Sequence, residues 1–400
     1  MKIRLILFIL IIISGLSSCI KDHPAPQVLK TSERNLHFSG NGGAWLLTVN
    51  SNTNWEIKGT TDWCTVDKET GYNTQNIIIT VEANDTKIAR STNLQILSEL
   101  HNTDISIQQD TISGEYHYQL PVIFHIIYSD LSDTLQNVKP EVISDLVSGC
   151  NRLFRNTNID MNMELILATQ DPDGKELTEP GIHRVLRSST AYKNSESFFK
   201  GTEDTDLMWD PNQYVNVYVF TFVESNVTGR TTLPFTPRQN SLPGLDANNT
   251  YYTKLPATPY GIALNNRYIT NEDAYRTMAH ELGHYVGLLH VFAVSDCELE
   301  TDYCDDTPNY NRKEYESWLS SHTDLTDQQK KQRQGCDGTE FTSYNIMDYD
   351  YSYREYFTAD QFLRVRHVLE HSPLIPGPKD IIVTKSLVRE TEIPEIRTLE

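Results

Sequence analysis

Between residues 28 and 110 apolar positions come in short alternating runs, among them Trp45-Leu46-Leu47-Thr48-Val49, Ile77-Ile78-Ile79-Thr80-Val81 and Ile105-Ser106-Ile107. Stretches rich in Gly, Asn and Asp, such as 39–43, interrupt them. Alternation with a period of two sends one side of each segment into a core and leaves the other in water, so an all-β sandwich is predicted here. After residue 115 the rhythm changes. Leu120 to Tyr128 is a nearly continuous apolar run, as expected of a central strand covered on both faces, and Tyr214 to Phe220 and Gly261 to Leu264 read the same way. Between the first two, Ile143, Leu146, Val147, Cys150, Leu153 and Phe154 recur every three or four residues after Pro140. That spacing predicts a helix with one buried face and makes Cys150 a core residue. Strands alternating with helices predict an α/β domain over 116–375. From Pro376 the rhythm is lost and charges accumulate, so 376–400 reads as a loosely held, charged tail.

The first residues stand apart. Leu5 to Ile13 is apolar, follows Lys2 and Arg4, and precedes Gly15, Ser17 and Ser18. Nine residues fall short of the roughly 20 a spanning helix needs, and the order of basic, apolar and small residues marks 1–18 as an export signal. Leu16-Ser17-Ser18-Cys19 resembles the lipobox of bacterial lipoproteins, which implies a lipid on Cys19, a tether over 19–27 containing Pro24-Ala25-Pro26, and an outer-membrane location. Ile20-Lys21-Asp22 resembles the surface-export signals of Bacteroidetes lipoproteins, which implies exposure at the cell surface. An ordinary signal peptide with an incidental cysteine is the plainer alternative.

Composition narrows the partners. With 34 Lys and Arg against 54 Asp and Glu the chain carries a net charge of −20, the wrong sign for a nucleic-acid backbone. In the sandwich, Trp55 with Ile57, Trp63 with Val66, Gly71, Asn84, Arg90 and the closing Ile107-Gln108-Gln109 resemble the BACON domain, over 28–112. The resemblance implies an immunoglobulin-like module and a glycan contact. The alternation itself makes Trp55 and Trp63 core fillers and Cys64 a buried thiol, so a spacer is the plainer reading.

The chemistry lies in Thr270 to His290. Thr270 and Asp273 stand in capping-box spacing, which predicts a helix start there. His280 and His284 are one helical turn apart on a single face, so their ring nitrogens can converge on an ion about 2 Å from each. Gly287 can take the left-handed conformation that ends a helix, and the turn then allows His290 to supply a third nitrogen. Three imidazoles leave a fourth position open, the arrangement of a catalytic rather than a structural zinc. Copper, nickel and cobalt also suit nitrogen ligands, so availability selects the ion. Glu281 projects about 100° round the helix from His280, where its carboxylate reaches a water without taking a metal position, and so is the expected general base.

His280-Glu281-Leu282-Gly283-His284-Tyr285-Val286-Gly287-Leu288-Leu289-His290 resembles the zinc signature of metzincin peptidases. The resemblance implies that Asn345-Ile346-Met347-Asp348-Tyr349 is the methionine turn, with Met347 as a floor under the ligands and Tyr349 as a phenol that stabilises the oxyanion. Within the metzincins the chain is most similar to the pappalysin/cytophagalysin family over 118–370. Asp171-Pro172-Asp173-Gly174, Trp209 to Val217, Asp306-Thr307-Pro308, and Phe357-Thr358 with Gln361 and Arg364 carry that likeness. It implies hydrolysis of protein or peptide substrates, a preference for basic residues after the scissile bond, and a substrate lying along an exposed strand edge around 245–265. It further implies a Cys297–Cys336 disulfide, but Cys304 replaces an aliphatic residue of the family pattern and leaves that pairing open to competition. By the same resemblance Asp296, Asp302, Asp305 and Asp306 form a calcium-loop candidate, with solvated loop charge as the equal alternative.

The reading is therefore a multidomain, lipid-anchored zinc endopeptidase: an immunoglobulin-like all-β sandwich followed by an α/β metzincin-like domain. The rival is a surface adhesin or glycan-binding lipoprotein with a vestigial metal site.

Overall fold

A computed structural model describes residues 26–84, 89–110, 116–155, 159–187, 192–252, 254–298, 301–349, 351–379 and 396–399. The export signal, Cys19 and most of the tether therefore lie outside the described residues. Among the described residues no helix is long and apolar enough to cross a membrane.

The amino-terminal region is built of nine strands: β1 Leu29–Thr31, β2 Asn35–Phe38, β3 Gly43–Ser51, β4 Asn54–Lys58, β5 Cys64–Val66, β6 Thr70–Tyr72, β7 Gln75–Val81, β8 Arg90–Ser98 and β9 Asn102–Gln109. They form two sheets, ordered β1-β3-β7-β5 and β2-β9-β8-β4-β6. Leu47, Val49, Ile77 and Ile79 of one sheet and Phe38, Ile57, Leu94 and Ile105 of the other share one core. Trp55 is buried in it and its indole N–H donates to the Asn73 carbonyl at 2.9 Å, while Trp63 is stacked under Arg90. Both tryptophans are packing residues, and Cys64 is a buried thiol.

The second region begins with β10 Tyr118–Tyr128 and α1 Pro140–Phe154 and continues through β11 Met163–Leu167, β12 Ile182–Leu186, β13 Tyr192–Lys193 and α2 Ser195–Lys200. Then follow β14 Val215–Phe222, β15 Gly229–Thr232, β16 Ile262–Asn265 and α3 Ala274–Tyr285. The main sheet is ordered β11-β10-β14-β16-β15 and is parallel except for β15. All eight residues of β14 are buried, as a strand covered by helices on both faces must be. Even-numbered residues of β10 meet α1 and α3 in one core, while Ile127 packs on the other face with Phe198, Phe199, Tyr218 and Phe220. Gly149 lets α1 approach α3, since a Cβ there would stand 2.6 Å from the Tyr275 side chain.

Beyond α3 the chain runs through α4 Arg312–Ser321, α5 Asp327–Lys330, the hairpin β17 Gln332–Gln334 and β18 Glu340–Thr342, α6 Ala359–His371, and finally β19 Thr398–Leu399. The described parts of 376–400 are not loosely held. Lys379 is buried, donates to the Leu369 carbonyl at the end of α6 and pairs with Ala44 of the sandwich, Ile396 is buried in the main core, and β19 pairs with β15. A single bridging residue and a four-residue segment are too short to leave a periodic signal in the sequence.

Candidate metal centre

The helix that bears the histidines starts later than its capping-box spacing suggests. Asp273, not Thr270, is the N-cap, and its side chain makes no cap bond but faces Arg354 at 3.5 Å. Its end follows the expectation. Gly287 has φ +95°, its N–H donates to the His284 carbonyl at 2.9 Å and that of Leu288 to the Gly283 carbonyl at 2.8 Å, a Schellman turn that sends the chain back toward His290.

His280 and His284 are buried and His290 is partly so. The Nδ1 of His280 is 2.8 Å from the Ile346 carbonyl and that of His284 is 2.8 Å from the Leu288 carbonyl, so each Nδ1 carries the proton and each Nε2 keeps a lone pair. The three Nε2 atoms lie 3.1, 3.3 and 3.0 Å from one another. Nitrogens about 2.05 Å from a tetrahedral zinc are separated by about 3.3 Å, so the trio fits that ion. Burial, the largest influence on both, pushes His284 down to about 4 and His280 well below its ordinary value, which keeps both rings neutral and fit to ligate. Facing lone pairs repel unless a cation lies between them. Among the described residues this trio is the one group of three metal-ligating side chains that converges.

Glu281 is 2% exposed, and its carboxylate accepts a hydrogen bond from the Thr231 hydroxyl on β15. Gly229 on the same strand has no side chain because a Cβ would stand against that carboxylate. Met347 is fully buried and lies against Gly283, where a Cβ would strike its sulfur. The turn that carries it is clamped: Asn345 and Gln361 exchange two side-chain hydrogen bonds of 2.9 and 3.2 Å, and Arg364 of α6 donates to the Gly287 carbonyl at 2.7 Å. The Asp348 carboxylate is committed to partners within the protein. It accepts from Tyr310 at 2.6 Å and from Ser343 and faces Arg333, with both members of that pair buried. Tyr349 packs edge-on against His290 with ring centroids 4.6 Å apart and lies under the Arg312 guanidinium at 4.0 Å.

Cys297 and Cys336 are disulfide-bonded and Cys304 is a buried free thiol. The calcium-loop candidates are not brought together. Asp296 accepts from the Glu298 N–H, Asp302 from the Cys304 N–H and the Thr307 hydroxyl, and Asp306 from the Asp360 N–H at the start of α6. The N–H groups of Asp305 and Asp306 in turn are held by Asp360. Among the described residues these carboxylates form no converging group. The strand edge is also elsewhere than around 245–265: β16 is flanked by β14 and β15, and β15 is the antiparallel strand that meets Glu281 of α3. Thr231, Arg312 and Arg354 were not singled out from the sequence, because each is distant along the chain from the group it serves; Asn345 and Gln361 were named, but not the side-chain pairing that joins them.

A family model described as Pregnancy-associated plasma protein-A, peptidase M43, matches residues 201–370, and one described as a viral BACON domain matches residues 28–111. The first match takes in the trio, Glu281 and the turn around Met347, and supports a zinc-dependent metallopeptidase. An uncharacterized protein of Acanthamoeba polyphaga mimivirus is 21% identical over 191 residues, 44% of this chain and 20% of that protein, so the chain spans about a fifth of that relative's length. Among solved structures, a Bacteroides ovatus xyloglucanase in complex with a heptasaccharide is 25% identical over 24% of this chain and 22% of its own, with a TM-score of 0.21. A protein from Bacteroides thetaiotaomicron solved by NMR is 13% identical over 24% of this chain and 99% of its own, with a TM-score of 0.17.

Proposed function

We propose that the chain is a secreted zinc endopeptidase of the metzincin type, similar to pappalysins, carried behind an immunoglobulin-like module and anchored through Cys19 at the bacterial outer membrane. The convergence of three imidazole Nε2 atoms beside an acceptor carboxylate carries this reading. A zinc ion held by His280, His284 and His290 would supply the Lewis acidity that lowers the pKa of water toward neutrality and polarises a peptide carbonyl.

The chain's own residues do the rest. Glu281 takes the proton of the attacking water and returns it to the leaving amine, a transfer that contributes about 10²–10⁴-fold in rate. Thr231 holds the carboxylate in place by its hydroxyl hydrogen bond. Tyr349 supplies the phenol, its ring held edge-on against the stacked pair of His290 and Phe292. Asn345, Gln361 and Arg364 fix the floor and the helix end relative to each other, so that the ligands are preorganised.

Casein digestion with and without chelator tests the activity, and Glu281→Gln tests the mechanism. That variant is expected to hold one zinc per chain by elemental analysis while losing nearly all turnover; undiminished cleavage would remove Glu281 from its role. The adhesin reading predicts glycan binding by the full chain without casein digestion. The buried Trp55 and the intact trio both speak against it.

A further inference from the structure

The free side of β15 carries a segment of the same chain. Thr231 stands opposite Leu399 and Thr232 opposite Thr398 in antiparallel register, and the Leu233 N–H donates to the Arg397 carbonyl at 2.8 Å. From Arg397 to Leu399 the segment advances along β15 from Leu233 toward Gly229, that is, toward the Glu281 carboxylate. An extended peptide laid on this edge with the same polarity passes Glu281 and then delivers its next side chains to a cavity of about 260 Å³ lined by Thr228, Thr277, Tyr349, Arg312 and Arg354 together with His280 and Glu281. Residues entering that cavity are on the C-terminal side of the bond at the metal centre.

The cavity's lining sets two guanidinium groups, Arg312 and Arg354, against the Glu281 carboxylate, which already accepts from Thr231. Asp348, which also lines it, has its carboxylate committed to Tyr310, Ser343 and Arg333. Each arginine has a carboxylate partner that is more than half exposed: Arg354 faces Asp273 at 3.5 Å and Arg312, which also lies over the Tyr349 ring, faces Glu316 at 2.7 Å. Exposed ion pairs hold weakly, so an incoming carboxylate displaces or joins them at little cost, whereas an incoming ammonium meets like charge. Resting on the peptidase reading above, we infer that the enzyme cuts on the N-terminal side of acidic residues, with Arg354 and Arg312 as the residues that select them. This is opposite to the basic preference that the family resemblance implies.

The test uses the full chain loaded with zinc and a peptide series identical except for Glu, Asp, Gln or Lys after the cut. Glu is expected to exceed Lys at least tenfold in kcat/KM, the scale of a hydrogen bond to a charged group. Arg354→Glu is expected to erase or invert the ratio, and Arg354→Gln and Arg312→Gln to reduce it. Binding of the same peptides to Glu281→Gln, read by fluorescence polarisation, reports the preference without turnover. Lys bound and cut as well as Glu by the wild-type chain overturns the inference and leaves the peptidase reading standing. Tight binding of acidic peptides that are never cut overturns the peptidase reading instead.

The tail strand carries a second inference independently. Ile396 is buried in the core beside Leu233, and the Arg397 guanidinium donates to the Gly244 carbonyl at 3.2 Å and lies 3.7 Å from Asp246. The structure assigns residues 396–399 as an intramolecular competitor that occupies the edge an extended substrate needs. Arg397 and Leu399 occupy the hydrogen-bonded positions of this antiparallel register, so Arg397→Pro and Leu399→Pro remove backbone donors from the pairing while leaving Ile396 in place. Each is expected to lower KM for a long peptide several-fold with kcat unchanged, and a synthetic Ile-Arg-Thr-Leu peptide is expected to restore the higher KM. Unchanged KM in both variants, with circular dichroism showing a native fold, overturns the assignment.

Discussion

Two groups of buried histidines in the α/β region look alike by burial and differ in chemistry. His125 is fully buried, with Nε2 2.9 Å from the Asn216 carboxamide oxygen and Nδ1 2.9 Å from Nδ1 of His183, and it stacks on Tyr218. Nε2 therefore donates, Nδ1 accepts, and no lone pair is left for a metal. In the trio, His280 and His284 give their Nδ1 protons to backbone carbonyls, and three Nε2 atoms face one point. Burial lowers His125 to about 3 and His284 to about 4, so depressed basicity does not distinguish a ligand from a core residue. The hydrogen-bond partner of the other ring nitrogen does.

The comparison breaks most visibly at the metal. His284→Ala is expected to abolish stoichiometric zinc and to cut hydrolysis by at least about a thousandfold, while His125→Ala keeps one zinc per chain. Elemental analysis of the two dialysed variants decides it, and zinc lost equally from both would make the distinction wrong. Gly283→Ala comes next. Its new methyl group strikes the Met347 sulfur, so a loss of about 1–3 kcal/mol in urea unfolding is expected, together with weakened zinc retention.

His125→Ala is expected to cost a similar or smaller amount, about 1–3 kcal/mol, because Asn216 and His183 lose a buried partner, and with no change in zinc affinity. The smallest effect is on pH dependence. The neutral ring of His125 is kept in the fold down to about pH 3, whereas the unfolded chain takes up a proton below about 6.5. Metal-free stability therefore falls as pH drops from 6.5 toward 3 and is flat in this respect above 6.5. His125→Gln should shallow that fall in thermal midpoints recorded between pH 7 and 4. An identical slope would mean that His125 titrates normally in the folded state.

Legibility followed the distance over which each feature is encoded. His280, Glu281, His284, Gly287 and His290 lie within eleven residues, so one helix geometry and one left-handed glycine suffice to relate them. The sandwich and the central strands were readable for the same reason, since alternation and continuous apolar runs are local records of which faces are covered. The start of α3 was misplaced because Thr270 and Asp273 satisfy a local pattern, while Arg354, 81 residues further on, takes the Asp273 side chain. The acidic stretch 296–306 has the composition of a cation loop, and only the tertiary structure shows Asp296, Asp302 and Asp306 accepting from N–H groups instead of converging.

By itself the sequence determined the two-part architecture, the ligand trio, its neighbouring carboxylate and the turn that follows, because spacing along one helix converts directly into direction in space. Tertiary structure alone decided which strand borders the cleft, what lies along its free edge and which charges line the adjoining cavity. Thr231, Arg312, Arg354 and Leu399 reach Glu281 and its surroundings from four separate segments, and no local period relates positions brought together only by the packing of sheet, helix and loops.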